Sequence, residues 1–166
     1  MSENPPFVIA DIRTCAHLIP EVARWHQQQW AHLNPGQALS DRIRKMQRYC
    51  CANTTGGFSP TMFVALDSCG APIATAALDA QDMDCFPELT PWLASVFVLP
   101  EFRRCGVATA LIGHSCDIAC NAMAVSTLYL FTPDQRAFYS RLGWVWRRAL
   151  TYHGERVDLM CFNRAE

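Results

Sequence analysis

The 166-residue sequence has no long hydrophobic run, no CxxC pair and no block of like charge. Each absence excludes something. The longest apolar stretches, "PIATAAL" and the segment around "SVFVLP", fall far short of the roughly 20 residues that a membrane-spanning helix needs. The opening "MSENPPFVIADIRTC" lacks a cationic start leading into an apolar segment, so no signal peptide is expected and the cytoplasm is the expected compartment. Charged residues make up 17% of the chain, and 14 Lys and Arg against 15 Asp and Glu leave a net charge of −1. That balance argues against a broad nucleic-acid surface. The cysteines number 9, an odd count at spacings that suit neither a disulfide framework nor a zinc site. Cys116 and Cys120 are four apart on an expected helix, but no second ligand pair accompanies them. Buried, reduced thiols and no metal are the expectation.

What is present suits one globular domain over residues 1–166, since 51% of the chain is hydrophobic. A first strand is expected in "PFVIADIRTC". A helix follows from about Pro20, with Leu18, Val22, Trp25 and Gln29 at helical spacing. The turn-rich "AHLNPGQALS" brings Ser40 to the N-cap of a second helix, "DRIRKMQRYCCA", with Ile43, Met46 and Cys50 on one stripe. After the loop "NTTGGFSP", two apolar runs flank a hairpin turn at "DSCGAP". The irregular "QDMDCFPELTP" precedes a strand at "WLASVFVL". A third helix runs to about Met123, with Val107, Leu111, Ile118 and Ala122 near the helical period. "STLYLF" is a strand and a short helix follows it. "WVWRRALTYHGERVDLMCFN" closes the chain as a hairpin turning at His153-Gly154. Seven strands and four helices in this order predict a mixed α/β sheet domain.

Two segments carry chemistry. In "PEFRRCGVATAL", Pro100 ends a strand and a helix begins within the next residues. A helix N-terminus presents unpaired amides and a positive dipole end, which suits a phosphate. Gly106 allows close backbone approach, Ala108 is nearly as small, and Arg103 and Arg104 supply cations. In "FTPDQRAFYSRLGW", Thr132, Pro133 and Gln135 fit a capping box, Phe138 and Leu142 share a packing face, and Gly143 ends the helix. Tyr139 is turned about 100° from Phe138 on an ideal helix.

The pattern Arg103-x-x-Gly106-x-Ala108, with its lead-in "VFVLPEFRR" and the downstream "AFYSRLGW", resembles the GNAT superfamily of acetyl-CoA-dependent N-acetyltransferases. The resemblance is close over residues 92–145 and extends to the remaining chain in element order. It implies a mostly antiparallel sheet of about seven strands containing one splayed parallel pair, with about four helices. Acetyl-CoA would be the acyl donor. Its pyrophosphate would rest on Arg103, Arg104, Cys105, Gly106, Val107, Ala108 and Thr109, and its pantetheine arm would lie along Val96, Phe97 and Val98. Tyr139 would protonate the departing thiolate. A primary amine would attack directly, a small molecule being favoured over a protein.

The base is not evident, because the strand "WLASVFVL" holds no carboxylate. Asp79, Asp82, Asp84 and Glu88 form either an acidic rim for a cationic acceptor or a solvated loop. Trp30 and Trp92 are candidates for lining the acceptor site, with Asp82 and Asp84 as acceptor-side acids. Cys105 is expected to be a bystander. The absent strand glutamate leaves a non-catalytic CoA-binding or sensory module as the alternative. By family analogy the chain is a monomer or a homodimer.

Overall fold

The computed structural model describes residues 6–51 and 57–165. Half of the expected loop "NTTGGFSP" and the last residue of the expected second helix lie outside the described residues. The strands are β1 (Val8–Asp11), β2 (Thr61–Leu66), β3 (Pro72–Asp79), β4 (Trp92–Val98), β5 (Thr127–Thr132), β6 (Val145–Tyr152) and β7 (Glu155–Asn163). The helices are α1 (Ile19–Trp30), α2 (Leu39–Cys50), α3 (Val107–Asp117) and α4 (Arg136–Arg141). One seven-stranded sheet runs in the order β1-β2-β3-β4-β5-β7-β6. Every pairing is antiparallel except β4 with β5.

Alternation along the strands separates two faces. Met62, Val64 and Ala77 meet α1 and α2, whereas Phe63, Ala65, Ala76 and Leu78 join the core that contains α3 and Tyr139. All eight residues of β3 are buried, as expected of a strand covered on both sides. A third cluster joins Met83 with Trp92, Val157 and Leu159, against Phe86 and Leu89 of the irregular segment. That segment covers the half of the sheet which α1 and α2 leave open.

Several boundaries differ from expectation for identifiable reasons. The first strand stops at Asp11, whose carboxylate accepts from Arg13 N–H and turns the chain into a 3₁₀ turn. Helix α2 starts at Leu39, so Ser40 lies inside it, and Asp41 reaches back to the Ala38 amide at 3.0 Å. Its buried stripe is Arg42, Met46 and Tyr49, while Cys50 is exposed. Helix α3 ends at Asp117 and a π turn, Ile118–Ala122, completes the expected run. Helix α4 begins at Arg136. Thr132 caps the preceding turn by accepting from Gln135 N–H at 3.0 Å. Only four of the nine thiols are buried, those of Cys15, Cys116, Cys120 and Cys161. The His153-Gly154 turn is as expected, both residues having positive φ. Among the described residues no helix is long and apolar enough to cross a membrane.

Candidate active site

The site begins in the ladder of β4. From Ala77↔Ala94 to Thr75↔Phe97, β3 advances two residues while β4 advances three. The extra residue is a bulge at Ser95, whose φ is +52°. Thr75 Oγ1 donates to the Ser95 carbonyl at 2.9 Å, and His26 Nε2 lies 2.9 Å from the same Oγ1. A hydroxyl donates one hydrogen, so the His26 nitrogen must be the donor to Thr75. His26 Nδ1 is buried without a partner.

The bulge turns β4 away from β5. The two parallel strands pair only at Trp92↔Tyr129, next to the 3.1 Å bond from Tyr129 N–H to Pro91 O. Trp92, Leu93 and Ala94 are buried, but burial declines from Ser95 through Val98 even though the strand is central. Val96 and Val98 pack toward the α3 core. Phe97 faces the other way, with its ring 5.9 Å from that of Trp25 and 6.1 Å from that of Trp30.

Beyond Val98 the chain makes a short 3₁₀ turn, Pro100–Phe102, and enters the arginine loop. Arg103 Nε donates to the Val98 carbonyl at 3.0 Å, which ties its guanidinium to the strand end. Arg104 is exposed and has φ +61°. Gly106 caps α3 at φ +78°, a conformation that favours glycine. The first bond of the helix runs from Ala110 N–H to Gly106 O, at 3.0 Å. The amides of Val107, Ala108 and Thr109 therefore precede the helical ladder, as the first amides of a helix must. Cys105 Sγ lies 3.4 Å from Arg103 O.

Tyr139 is the buried residue of α4, while Phe138 and Leu142 are only partly covered. Phe138 and Leu142 pack against the same core, as their spacing led one to expect, and Tyr139 joins them there. Its ring lies against those of Phe138 and Trp144, and its hydroxyl has no hydrogen-bond partner among the described residues. Burial first, and then Asp134, raises the phenol above its ordinary pKa of 10.0. The group is therefore neutral, a proton donor and not a phenolate.

On the α1–α2 face, a cavity of about 180 Å³ is lined by Gln37, Arg42, Lys45, Asp82, Phe131 and Tyr152, among others. It reaches β5 at Phe131. A neighbouring cavity of about 460 Å³ shares Lys45 with it and adds Tyr49 and Asp79. Tyr49 donates to both Asp79 carboxylate oxygens, at 2.9 and 3.0 Å, and Lys45 Nζ is 3.9 Å from Asp79. Burial, followed by the charge of Asp79, raises the Asp82 carboxyl from 3.8 to about 6. Asp84 and Glu88 are exposed. Trp92 is fully buried and its indole donates to Leu89 O at 2.6 Å, so it lies beneath the irregular segment and lines neither cavity. Trp30 stands beside His26 and Phe97.

Asp82 has a consequence for stability. A carboxyl with a raised folded-state pKa binds more protons when folded than when unfolded between about pH 4 and pH 6. Stability is therefore lost as pH rises through that window, by about 1–2 kcal/mol after allowance for partial exposure. His26 moves the midpoint the other way over this range, so the trend is read as a difference: relative to Asp82→Asn, the wild type is expected to gain urea midpoint between pH 6.5 and pH 4. An unchanged slope in the variant would assign the trend to another group.

Sequence reasoning passed over His26, Arg42 and Tyr49. The available signal was spacing: Ile19, Val22, Ala23 and His26 occupy one helical stripe, as do Arg42, Met46 and Tyr49. Among the described residues no group of three or more His, Cys, Asp or Glu is arranged to hold a metal.

The model of the acetyltransferase (GNAT) domain family matches residues 59–145. No curated protein sequence matches the chain. Among solved structures, a variant of the spermidine N-acetyltransferase SpeG from Vibrio cholerae superposes with a TM-score of 0.70 at 14% identity, covering 95% of this chain and 93% of its own. A SpeG structure from the same organism in complex with CoA and spermine gives 0.65 at 13% identity, with 95% of each chain covered. A proposed phosphinothricin N-acetyltransferase gives 0.69 at 14% identity, covering 97% of this chain and 100% of its own. The splayed parallel pair, the glycine-capped helix behind it and the family match over more than half the chain agree, and the protein belongs to the GNAT acetyltransferases, as an acyltransferase enzyme.

Proposed function

We propose that the enzyme transfers an acetyl group from acetyl-CoA to the primary amine of a small molecule by direct attack. The observation that carries this reading is the wedge: β4 and β5 are parallel neighbours joined at one residue pair, and they open toward the loop of Arg103 to Thr109. Backbone groups of Val96, Phe97 and Val98 that no strand pairs on the β5 side can receive the amides of the pantetheine arm, as an edge strand receives another strand. Arg103, Arg104 and the amides of Cys105 to Thr109 then meet the pyrophosphate. Gly106 and Ala108 leave room for it.

In the reaction, the amine nitrogen forms a bond to the acetyl carbon and the carbon–sulfur bond breaks. Strand amides beside the bulge polarise the carbonyl as negative charge develops on its oxygen. Tyr139 donates its proton to the thiolate, and the proton released by the amine passes to the carboxylate side of the acceptor cavity or to water. Holding both reactants in one orientation supplies much of the rate enhancement. Asp82 lines the cavity that would take the acceptor; Trp30 stands outside its lining, against Phe97 of β4, while Trp92 is buried beneath the irregular segment and Asp84 is exposed. The cavity of about 180 Å³ favours a small amine over a protein side chain in its own backbone context.

Calorimetry tests the cofactor site. Wild-type protein is expected to bind acetyl-CoA, and the Arg103→Ala, Gly106→Asp double variant is expected to lose at least about 100-fold in affinity while its circular dichroism is unchanged. A folded wild type that does not bind acetyl-CoA would overturn the reading.

A further inference from the structure

The acceptor cavity contains a charge that the fold does not balance. Arg42 is only 9% exposed. Its Nε donates to Gln27 Oε1 and its Nη2 to Gln37 Oε1, both at 3.0 Å. Both acceptors are neutral amides. Among the described residues, no carboxylate lies within 4 Å of the guanidinium. The holders are themselves fixed, since Gln27 Nε2 donates to the Gln37 carbonyl at 3.0 Å. A desolvated cation without an anion is costly, and a packed apolar side chain at this position would avoid the cost. Instead the protein orients a planar fork of donors and points it at an open cavity.

We propose that the acceptor amine also carries a carboxylate, and that Arg42 receives this carboxylate while Asp82 faces the amine. The acceptor class is thus amino-acid-like and not a polyamine. This inference rests on the acetyltransferase reading and adds the substrate class to it. Three observations support it. Arg42 and Asp82 line the same cavity, one offering donors and the other an acceptor. Lys45, the second cation on that wall, is already beside Asp79 at 3.9 Å, so the free positive charge belongs to Arg42. A volume of about 180 Å³ equals roughly six waters, the space of a modest amino acid. A linear polyamine would instead bring its second ammonium toward a buried guanidinium, and like charges at close range in a poorly solvated pocket repel strongly.

The test compares matched acceptors with the full-length protein and acetyl-CoA: L-leucine against isoamylamine, L-phenylalanine against phenethylamine, and spermidine alone. Wild type is expected to favour the amino acid of each pair by at least about 100-fold in kcat/KM, because a polar site strongly rejects an analogue that leaves its donors unpaired. Arg42→Gln is expected to raise KM for the amino acid by about 10- to 100-fold with a much smaller change in kcat, and Arg42→Lys to recover part of the loss. The wild-type comparison requires no variant to fold. Equal or faster turnover of the decarboxylated amines or of spermidine would overturn the inference, as would a preference that survives Arg42→Gln. If acetyl-CoA binds but no carboxylate-bearing amine is acetylated, the substrate class is wrong and the cofactor site stands. If acetyl-CoA does not bind, both fail.

Discussion

Tyr139→Phe is expected to lower the single-turnover rate of acetyl transfer by about 100- to 1000-fold without changing acetyl-CoA affinity. The substitution removes one oxygen from a ring that otherwise remains packed between Phe138 and Trp144. Folding is therefore little affected. The hydroxyl has no partner among the described residues, so its donor is available to a ligand atom, and burial holds it protonated well beyond its ordinary range. A departing thiolate meets a neutral acid at every working pH. The rate profile should show no decline attributable to this group below about pH 10. Single-turnover measurement is the proper readout, because slow release of CoA would mask the effect in kcat. An unchanged rate in a variant that binds acetyl-CoA normally would remove Tyr139 from the mechanism.

The second large effect concerns His26 and acid. The native protein is expected to lose about 2–3 kcal/mol of stability between pH 6.5 and pH 4.5 through this residue alone. Burial, then the charges of Arg42 and Lys45, pull its pKa from 6.5 to about 3. Between those values the unfolded chain takes up a proton that the folded chain refuses, so the stabilisation is complete above pH 6.5 and disappears as pH falls toward 3. The hydrogen-bond chain explains the refusal. Nε2 already donates to Thr75, and a proton on Nδ1 would be a buried donor without an acceptor. His26→Gln should flatten the acid limb of a urea-midpoint profile. Asp82 works in the opposite direction between about pH 6 and pH 4, so Asp82→Asn should steepen the same limb. If His26→Gln left the limb intact, another group would be responsible for it.

How much could be read in the sequence depended on whether the determinant was local. The arginine loop was legible because strand end, Gly106 and helix start are adjacent in the chain. So was the His153-Gly154 turn, which two residues specify almost alone. The Ser95 bulge was not legible. Nothing about a serine predicts φ +52°; the mismatch between the β3 and β4 registers imposes it. His26 and Arg42 were missed because a polar residue on a helix reads as solvent-facing until its neighbours are known. In both cases the apolar residues three and four positions away marked the buried stripe. Tyr139 shows the converse: its type and setting suggested a role, and helical spacing placed Phe138 and Leu142 on the packing side as found, but spacing did not show that Tyr139 is the buried residue of α4.

The single pair at Trp92 and Tyr129 divides the sheet into two panels, one of β1 to β4 and one of β5 to β7. Backbone bonding is continuous within each panel and nearly interrupted between them. Side-chain packing beneath the seam then has to hold the panels in register, with α3 and the Trp92 cluster bridging it. A molecule threaded into that seam acts as a dowel. It completes the ladder where the polypeptide leaves it open, so donor binding and mechanical closure of the domain are one event. With acetyl-CoA bound in that seam as proposed, the donor would be a structural member of the fold during each turnover, and its departure as CoA would return the sheet to two parts.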